Sequence, residues 1–198
     1  MLIVVRHGQT EVNARGLLLG RSDPPLDQVG RAQASAVAAN LATRAAGTRV
    51  ISSPLLRTRQ TAAIIAGDGE VEVDERWIEL DYGVLDGTPL RDVPAATWAR
   101  WTADIDFAPE GGESLAAVGA RVRAACEDLA AEADERDVVV VTHVSPLKAA
   151  VAWTLGVADE VTWHLYAAPA SITRISTSGP RRSLHSYNGT AHLDGLGG

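Results

Sequence analysis

The sequence predicts an α/β fold, a three-layer α/β/α sandwich around a mostly parallel central sheet. Three observations carry this expectation. Leu2-Ile3-Val4-Val5 and Val138-Val139-Val140-Val141 are unbroken apolar runs of strand length, the pattern of strands whose two faces are both covered by helices. Both runs end in polar residues able to do chemistry, Arg6-His7-Gly8 after the first and Thr142-His143 after the second. Strand-like and helix-like segments then alternate along most of the chain. Ligands of such sheets bind beyond the carboxyl ends of the strands. If the two runs are parallel neighbours, His7 and His143 meet at one sheet edge.

Each element has its own reason. After the first strand, Gln9 to Asp27 is a polar, glycine-containing loop, long enough to be functional. Arg31 to Ala46 is alanine-rich, with Val37 and Leu41 four apart and Gly47 behind it, which reads as a helix with a glycine stop. Arg49 to Ser52 is a strand. Ser53 then reads as an N-cap and Pro54 as the first residue of a helix running to Ala66. Val71 to Val73 is a short strand. Glu79 to Pro109 is irregular, with a short helix around Trp98 and Trp101. Ser114 caps a helix to Ala133, the valine-rich strand follows, and Ser145-Pro146 opens a helix to Leu155. Strands are expected at Ser171 to Ser176 and Ser183 to Tyr187, and a loose tail from Asp194 to Gly198. Asn188-Gly189-Thr190 matches a glycosylation pattern but reads as a turn.

Composition bounds the function. With 198 residues and 46% hydrophobic content, a full core can be buried, and residues 1–198 are expected to form a single domain. A net charge of −7 argues against nucleic acid or an anionic membrane as the main partner. Cys126 is the only cysteine, so no disulfide framework or cysteine metal cage is available. Neither a charged leader with an apolar core nor a stretch of about 18 apolar residues is evident, and a cytoplasmic location is expected.

Arg57 lies in the first turn of its helix, where exposed N–H groups already make the end positive. The conflict disappears if an anion sits there, since a helix N-terminus with an arginine fork seats phosphate well. Arg6, beside a histidine at the end of a buried strand, is hard to explain as solvated surface. His164, His185 and His192 are scattered, and no helix-borne His pair at metal spacing occurs, so no metal site is expected. Two histidines with two arginines at one edge suit phosphoryl transfer: one imidazole attacks phosphorus while cations neutralise its oxygens.

The blocks RHGQTEVN (6–13), SSPLLRTRQTA (52–62), ELDYGVLDG (79–87), PEGGES (109–114) and VVTHVSP (140–146) together resemble the histidine phosphatase superfamily, which includes the cofactor-dependent phosphoglycerate mutases and their phosphatase relatives. The blocks come in the family's order and span nearly the whole chain. The resemblance implies that His7 is the nucleophile that becomes phosphohistidine. It implies a phosphate pocket of Arg6, Arg57 and His143, with Asn13, Gly20 and the backbone N–H of Val144 as further contacts, and Glu79 as the acid that protonates the leaving oxygen. A carboxyl beside a dianionic phosphate resists ionisation, which suits that role. It implies no cofactor and a small-molecule phosphomonoester as partner; a homodimer is left open.

Three residues depart from the family's pattern. Leu19 stands where a polar residue near phosphate is usual, Val144 where glycine commonly follows the second histidine, and Leu85 where phosphatase relatives often have Trp. The compact segment between Glu79 and His143 favours hydrolysis over the phosphoglycerate mutase reaction, which goes with a longer insertion over the site. Retention of His7, Glu79 and both arginines disfavours a non-catalytic phosphate-binding module. His143-Val144-Ser145-Pro146 resembles phosphatases of α-ribazole phosphate, some of which are fused to a ribonuclease H-like domain that finds no match here. Leu19, Leu85, Trp98, Trp101 and Phe107 predict an apolar, aromatic pocket wall and a ring-bearing substrate.

Overall fold

The computed structural model describes residues 1–41, 48–179 and 181–196. Among these, the strands are β1 (Leu2–Arg6), β2 (Arg49–Ser52), β3 (Val71–Val73), β4 (Val138–Thr142), β5 (Ile172–Ser176) and β6 (Ser183–Gly189). They form one sheet in the order β3-β2-β4-β1-β5-β6. β3, β2, β4 and β1 run parallel, while β5 and β6 add an antiparallel edge. The α/β fold with a mostly parallel sheet is therefore as the apolar runs predict.

The helices are α1 (Glu11–Ala14), α2 (Gln28–Leu41), α3 (Leu56–Ala66), α4 (Ala95–Ala103), α5 (Leu115–Glu135) and α6 (Val144–Leu155). Alternation along the strands decides which layer each residue feeds. Leu2, Val4, Val138 and Val140 face one core with Trp77, Val118, Val122 and Leu147, so α5 and α6 cover that side. Ile3, Val5, Val139 and Val141 face the other with Val37, Leu41 and Ala62, so α2 and α3 cover it. Removing four valines of one strand from water on both faces is what makes β4 central.

Several boundaries move for identifiable reasons. α2 starts three residues before Arg31, because the Asp27 carboxylate accepts the Gly30 N–H at 2.7 Å; the expected end at Ala46 and stop at Gly47 lie outside the described residues. Ser53 does not cap α3: its hydroxyl pairs with His143, and the N-cap position falls to Leu55. The free Leu56 N–H is instead taken at 2.6 Å by the Asp23 carboxylate, from the preceding loop. α6 begins at Val144 rather than Pro146, whose missing N–H costs nothing in the first turn. β6 runs on through Asn188, which adopts a left-handed φ of 52°, and Gly189, where a turn is predicted. A 3-10 turn covers Ala191–Leu193, and the predicted tail falls partly outside the described residues. Ser114 does cap α5, accepting the Ala117 N–H at 3.2 Å.

Candidate active site

In the parallel register of β1 and β4, Leu2 lies beside Val138 and Arg6 beside Thr142, so the next residues, His7 and His143, leave the sheet together. Their rings lie 5.1 Å apart, centre to centre, and both side chains are buried. The loop after β1 can turn here because Gly8 has no side chain: a Cβ would come within 2.3 Å of the Gly30 carbonyl at the start of α2. Thr61 of α3 pins the same turn by accepting the Gly8 N–H at 3.2 Å.

The hydrogen bonds assign both tautomers. A carbonyl only accepts, so at His7 the proton sits on Nδ1, which donates to the Gly8 carbonyl at 2.7 Å and leaves Nε2 with its lone pair. At His143 the arrangement is reversed. Nδ1 accepts from Arg57 Nε at 3.2 Å, so Nε2 carries the proton and donates to the Ser53 hydroxyl at 2.7 Å. Arg57 Nε is shared with His7 Nε2, also at 3.2 Å. Two bare imidazole nitrogens thus converge on one guanidinium. Burial, and next the Arg57 charge, hold both histidines well below their ordinary pKa.

Arg57 is fully buried, and its remaining donors reach the carbonyls of Ser22 and Gly20 at 2.7 Å each. Among the described residues no carboxylate hydrogen-bonds it, and burial lowers its pKa to about 10. Arg6 donates through Nη1 to the Ala167 carbonyl at 2.7 Å, while its buried Nε has no partner. Burial lowers the Arg6 pKa too, and the Glu79 charge offsets part of that loss for both arginines. Two desolvated cations answered mostly by neutral carbonyls, with one donor left over, form a seat that favours an anion.

Glu79 is buried at the N-terminus of α6. Its carboxylate accepts N–H bonds from Leu80 at 2.8 Å, Val144 at 3.0 Å and Ser145 at 3.1 Å. The expected phosphate contact through the Val144 N–H is therefore engaged with Glu79 instead. The valine at this position keeps helical backbone geometry, so the departure from glycine leaves that N–H in place. Gly20 uses its N–H on the Asp86 carboxylate at 2.9 Å and its carbonyl on Arg57. Asn13 turns its side-chain carbonyl onto Thr10 in a capping box on α1, with 2.9 Å to the Thr10 hydroxyl. The structure therefore brings Arg6, His7, Arg57, Glu79 and His143 together, and gives Gly20, Asn13 and Val144 supporting hydrogen bonds.

Three residues escaped sequence reasoning. Ser53 holds the His143 tautomer. Asp23 caps α3 from the loop. Asp86 clamps the loop over Arg57, accepting from Ser22 N–H and hydroxyl at 2.8 Å each as well as from Gly20. Burial would raise the Asp86 pKa, and these bonds with the Arg57 charge pull it below the ordinary value. Asp86 and Ser53 sit inside the blocks that define the resemblance, a signal that spacing alone did not resolve. Among the aromatic and apolar residues expected at the pocket, Trp101 is buried, Phe107 packs edge-on against it at 6.3 Å, and Leu85 packs on the core. Among the described residues, no three His, Cys, Asp or Glu side chains group as a metal site, and no helix is long and apolar enough to cross a membrane.

The mostly parallel α/β sheet with a histidine pair and buried arginines at its carboxyl edge agrees with the family that the sequence matches. Residues 2–190 match the histidine phosphatase superfamily (branch 1), and the chain belongs to it. It is 34% identical over 200 residues to phosphoserine phosphatase 1 of Hydrogenobacter thermophilus, covering 97% of this chain and 93% of that protein. It is 33% identical over 199 residues to a bifunctional protein of Mycobacterium tuberculosis, covering 97% of this chain and 54% of the relative. The chain thus spans about half the length of that relative. Among solved structures, phosphoserine phosphatase from Entamoeba histolytica, in complex with 3-phosphoglyceric acid, superposes with a TM-score of 0.88 at 27% identity, covering 97% of this chain and 98% of its own. A mycobacterial glucosyl-3-phosphoglycerate phosphatase complexed with VO3 gives 0.84 at 33% identity, with 96% and 98% covered. The α-ribazole phosphatase from Shigella flexneri gives 0.83 at 25% identity, with 95% and 96% covered.

Proposed function

We propose that this chain is a phosphomonoester hydrolase that works through a phosphohistidine on His7. The observation that supports this most is the locked tautomer of His7, which aims an unprotonated Nε2 at the buried, carboxylate-free guanidinium of Arg57. A phosphoryl group bound there takes over the Arg57 N–H and the spare Arg6 Nε–H, and its oxygens meet two cations already desolvated and oriented. Attack by Nε2 forms a P–N bond as the ester P–O bond breaks; the proton that a monoanionic phosphomonoester brings in is held by the Glu79 carboxylate and passed to the leaving oxygen. Water then attacks phosphorus and gives a proton to Glu79 while the P–N bond breaks and its electron pair returns to Nε2, which releases inorganic phosphate and restores His7. His143, held by Ser53, contributes its second bare nitrogen to the site.

Relatives bearing phosphoserine, glucosyl-3-phosphoglycerate and α-ribazole phosphatase names share this fold, so the substrate is proposed as a class, a small phosphomonoester. α-Ribazole phosphate stands within it as one ester to be assayed beside phosphoserine and 3-phosphoglycerate. Brief reaction with labelled p-nitrophenyl phosphate and an alkaline quench should leave an acid-labile phosphoryl group on His7. A His7→Ala protein with near-normal turnover would overturn the mechanism.

A further inference from the structure

Lys148 is the only lysine among the 18 Lys and Arg residues of the chain. It lies on α6 one turn beyond Val144, the residue whose N–H holds Glu79, and is partly buried. It lines a cavity of about 160 Å³ together with Leu80, Tyr82, Trp98, Trp101 and Trp163. Val144 and Ser145, whose N–H groups hold the Glu79 carboxylate, line it too, which sets the cavity next to that carboxylate. Among the described residues, Lys148 makes no hydrogen bond or ion pair.

The rest of the wall is apolar apart from the Tyr82, Ser145 and Thr162 hydroxyls. The indole N–H groups of Trp101 and Trp163 are buried without a hydrogen-bond partner. Two buried indole donors without partners, beside an ammonium that faces the Glu79 charge and makes no hydrogen bond, carry a desolvation cost that a ligand rich in acceptor oxygens would offset. Four aromatic rings also form the walls, which limits the size of what enters and supplies faces for an apolar body. One lysine in apolar surroundings balances one negative charge; a second phosphate dianion would be left half compensated.

We infer that Lys148 is a specificity-determining residue that binds a single carboxylate carried by the leaving group of the phosphomonoester. The inference rests on the phosphatase reading above and names the substrate class within it. It ranks carboxylate-bearing esters ahead of esters with an uncharged ring, and so departs from the purely apolar pocket expected from the sequence. Phe107, Leu19 and Leu85 do not line this cavity, whereas Lys148, which the sequence pattern did not single out, does.

A matched pair of substrates isolates the effect: phenyl phosphate and 3-carboxyphenyl phosphate. Lys148→Met keeps the apolar stem and removes the charge, and Lys148→Arg keeps the charge. Bonds to a charged partner are of a strength that predicts a loss of about 10- to 100-fold in kcat/KM for the carboxylated ester in Lys148→Met, with phenyl phosphate changed less than about twofold. Lys148→Arg should retain most of the preference. An equal loss on both esters would mean that Lys148 acts through Glu79, and no loss on either would mean that it acts on neither; both results overturn the inference. If the wild-type protein hydrolyses neither ester, the phosphatase reading fails, and binding decides separately. 3-Hydroxybenzoate should then quench the tryptophan fluorescence saturably in wild type and not in Lys148→Met; equal quenching in both overturns the inference.

Discussion

His7 is readied by a backbone carbonyl rather than by an acid. Because the Gly8 carbonyl can only accept, the ring is committed to the tautomer with Nε2 bare, and in the proposed mechanism attack by that nitrogen needs no base to uncover it. The proposed mechanism leaves Glu79, held in place by three N–H tethers, for the other end of the ester bond. At this scale the expected behaviour depends on the leaving group. Glu79→Gln should lower turnover of an alkyl phosphate by about 10²- to 10⁴-fold, the usual range for general acid catalysis, and hardly affect p-nitrophenyl phosphate, whose leaving group needs no proton. Rates on both esters measured side by side check this, and equal losses would remove Glu79 from the role.

At the scale of elements, the strand ends and the helix starts share their polar groups. Ser53 reads as the cap of α3 by residue type and by the proline behind it, yet its hydroxyl belongs to His143, and Asp23 caps the helix from a different segment. The two readings separate by measurement. Asp23→Ala should cost about 1 kcal/mol, the usual worth of an N-cap. Ser53→Ala leaves the buried His143 Nε2–H without an acceptor, so it should cost about 1–3 kcal/mol and slow turnover as well. Denaturant unfolding and steady-state rates of both variants decide the order; a Ser53→Ala protein with native turnover would show the tautomer lock to be dispensable. Gly8 illustrates the same coupling, since its bare Cα lets the start of α2 close on the loop that carries His7.

For the whole molecule, burying two neutral histidines ties stability to pH. Both His7 and His143 are held well below their ordinary pKa, first by desolvation and then by Arg57, and His192 is shifted the same way by burial. Above about pH 6.5 these groups are neutral in native and unfolded chains alike, and their contribution is intact. As pH falls below about 6.5 the unfolded chain takes up protons that the native one refuses, so stability declines by up to about 1.4 kcal/mol per pH unit for each histidine. Denaturation midpoints should therefore drop between pH 7 and 5.5, and His7→Gln/His143→Gln should flatten the slope. An unchanged wild-type midpoint across that window would contradict the burial of neutral rings.

The parallel sheet and the meeting of His7 with His143 were legible in the sequence, because an apolar run buried on both faces has few other places to go and its carboxyl end must open on the ligand side. Arg57 was legible for a related reason: a cation in the first turn of a helix conflicts with the local field unless an anion is near. Residue pattern left undetermined what each polar atom would bond to, since competing partners such as the Ser53 hydroxyl, the Val144 N–H and the Asp23 carboxylate are distant in sequence. Only the tertiary structure decided those pairings, and with them the tautomers, the loop clamped by Asp86 and the aromatic cavity around Lys148. A periodic pattern records which face of an element is dry, whereas a hydrogen bond between segments depends on distances that exist only after the chain has folded.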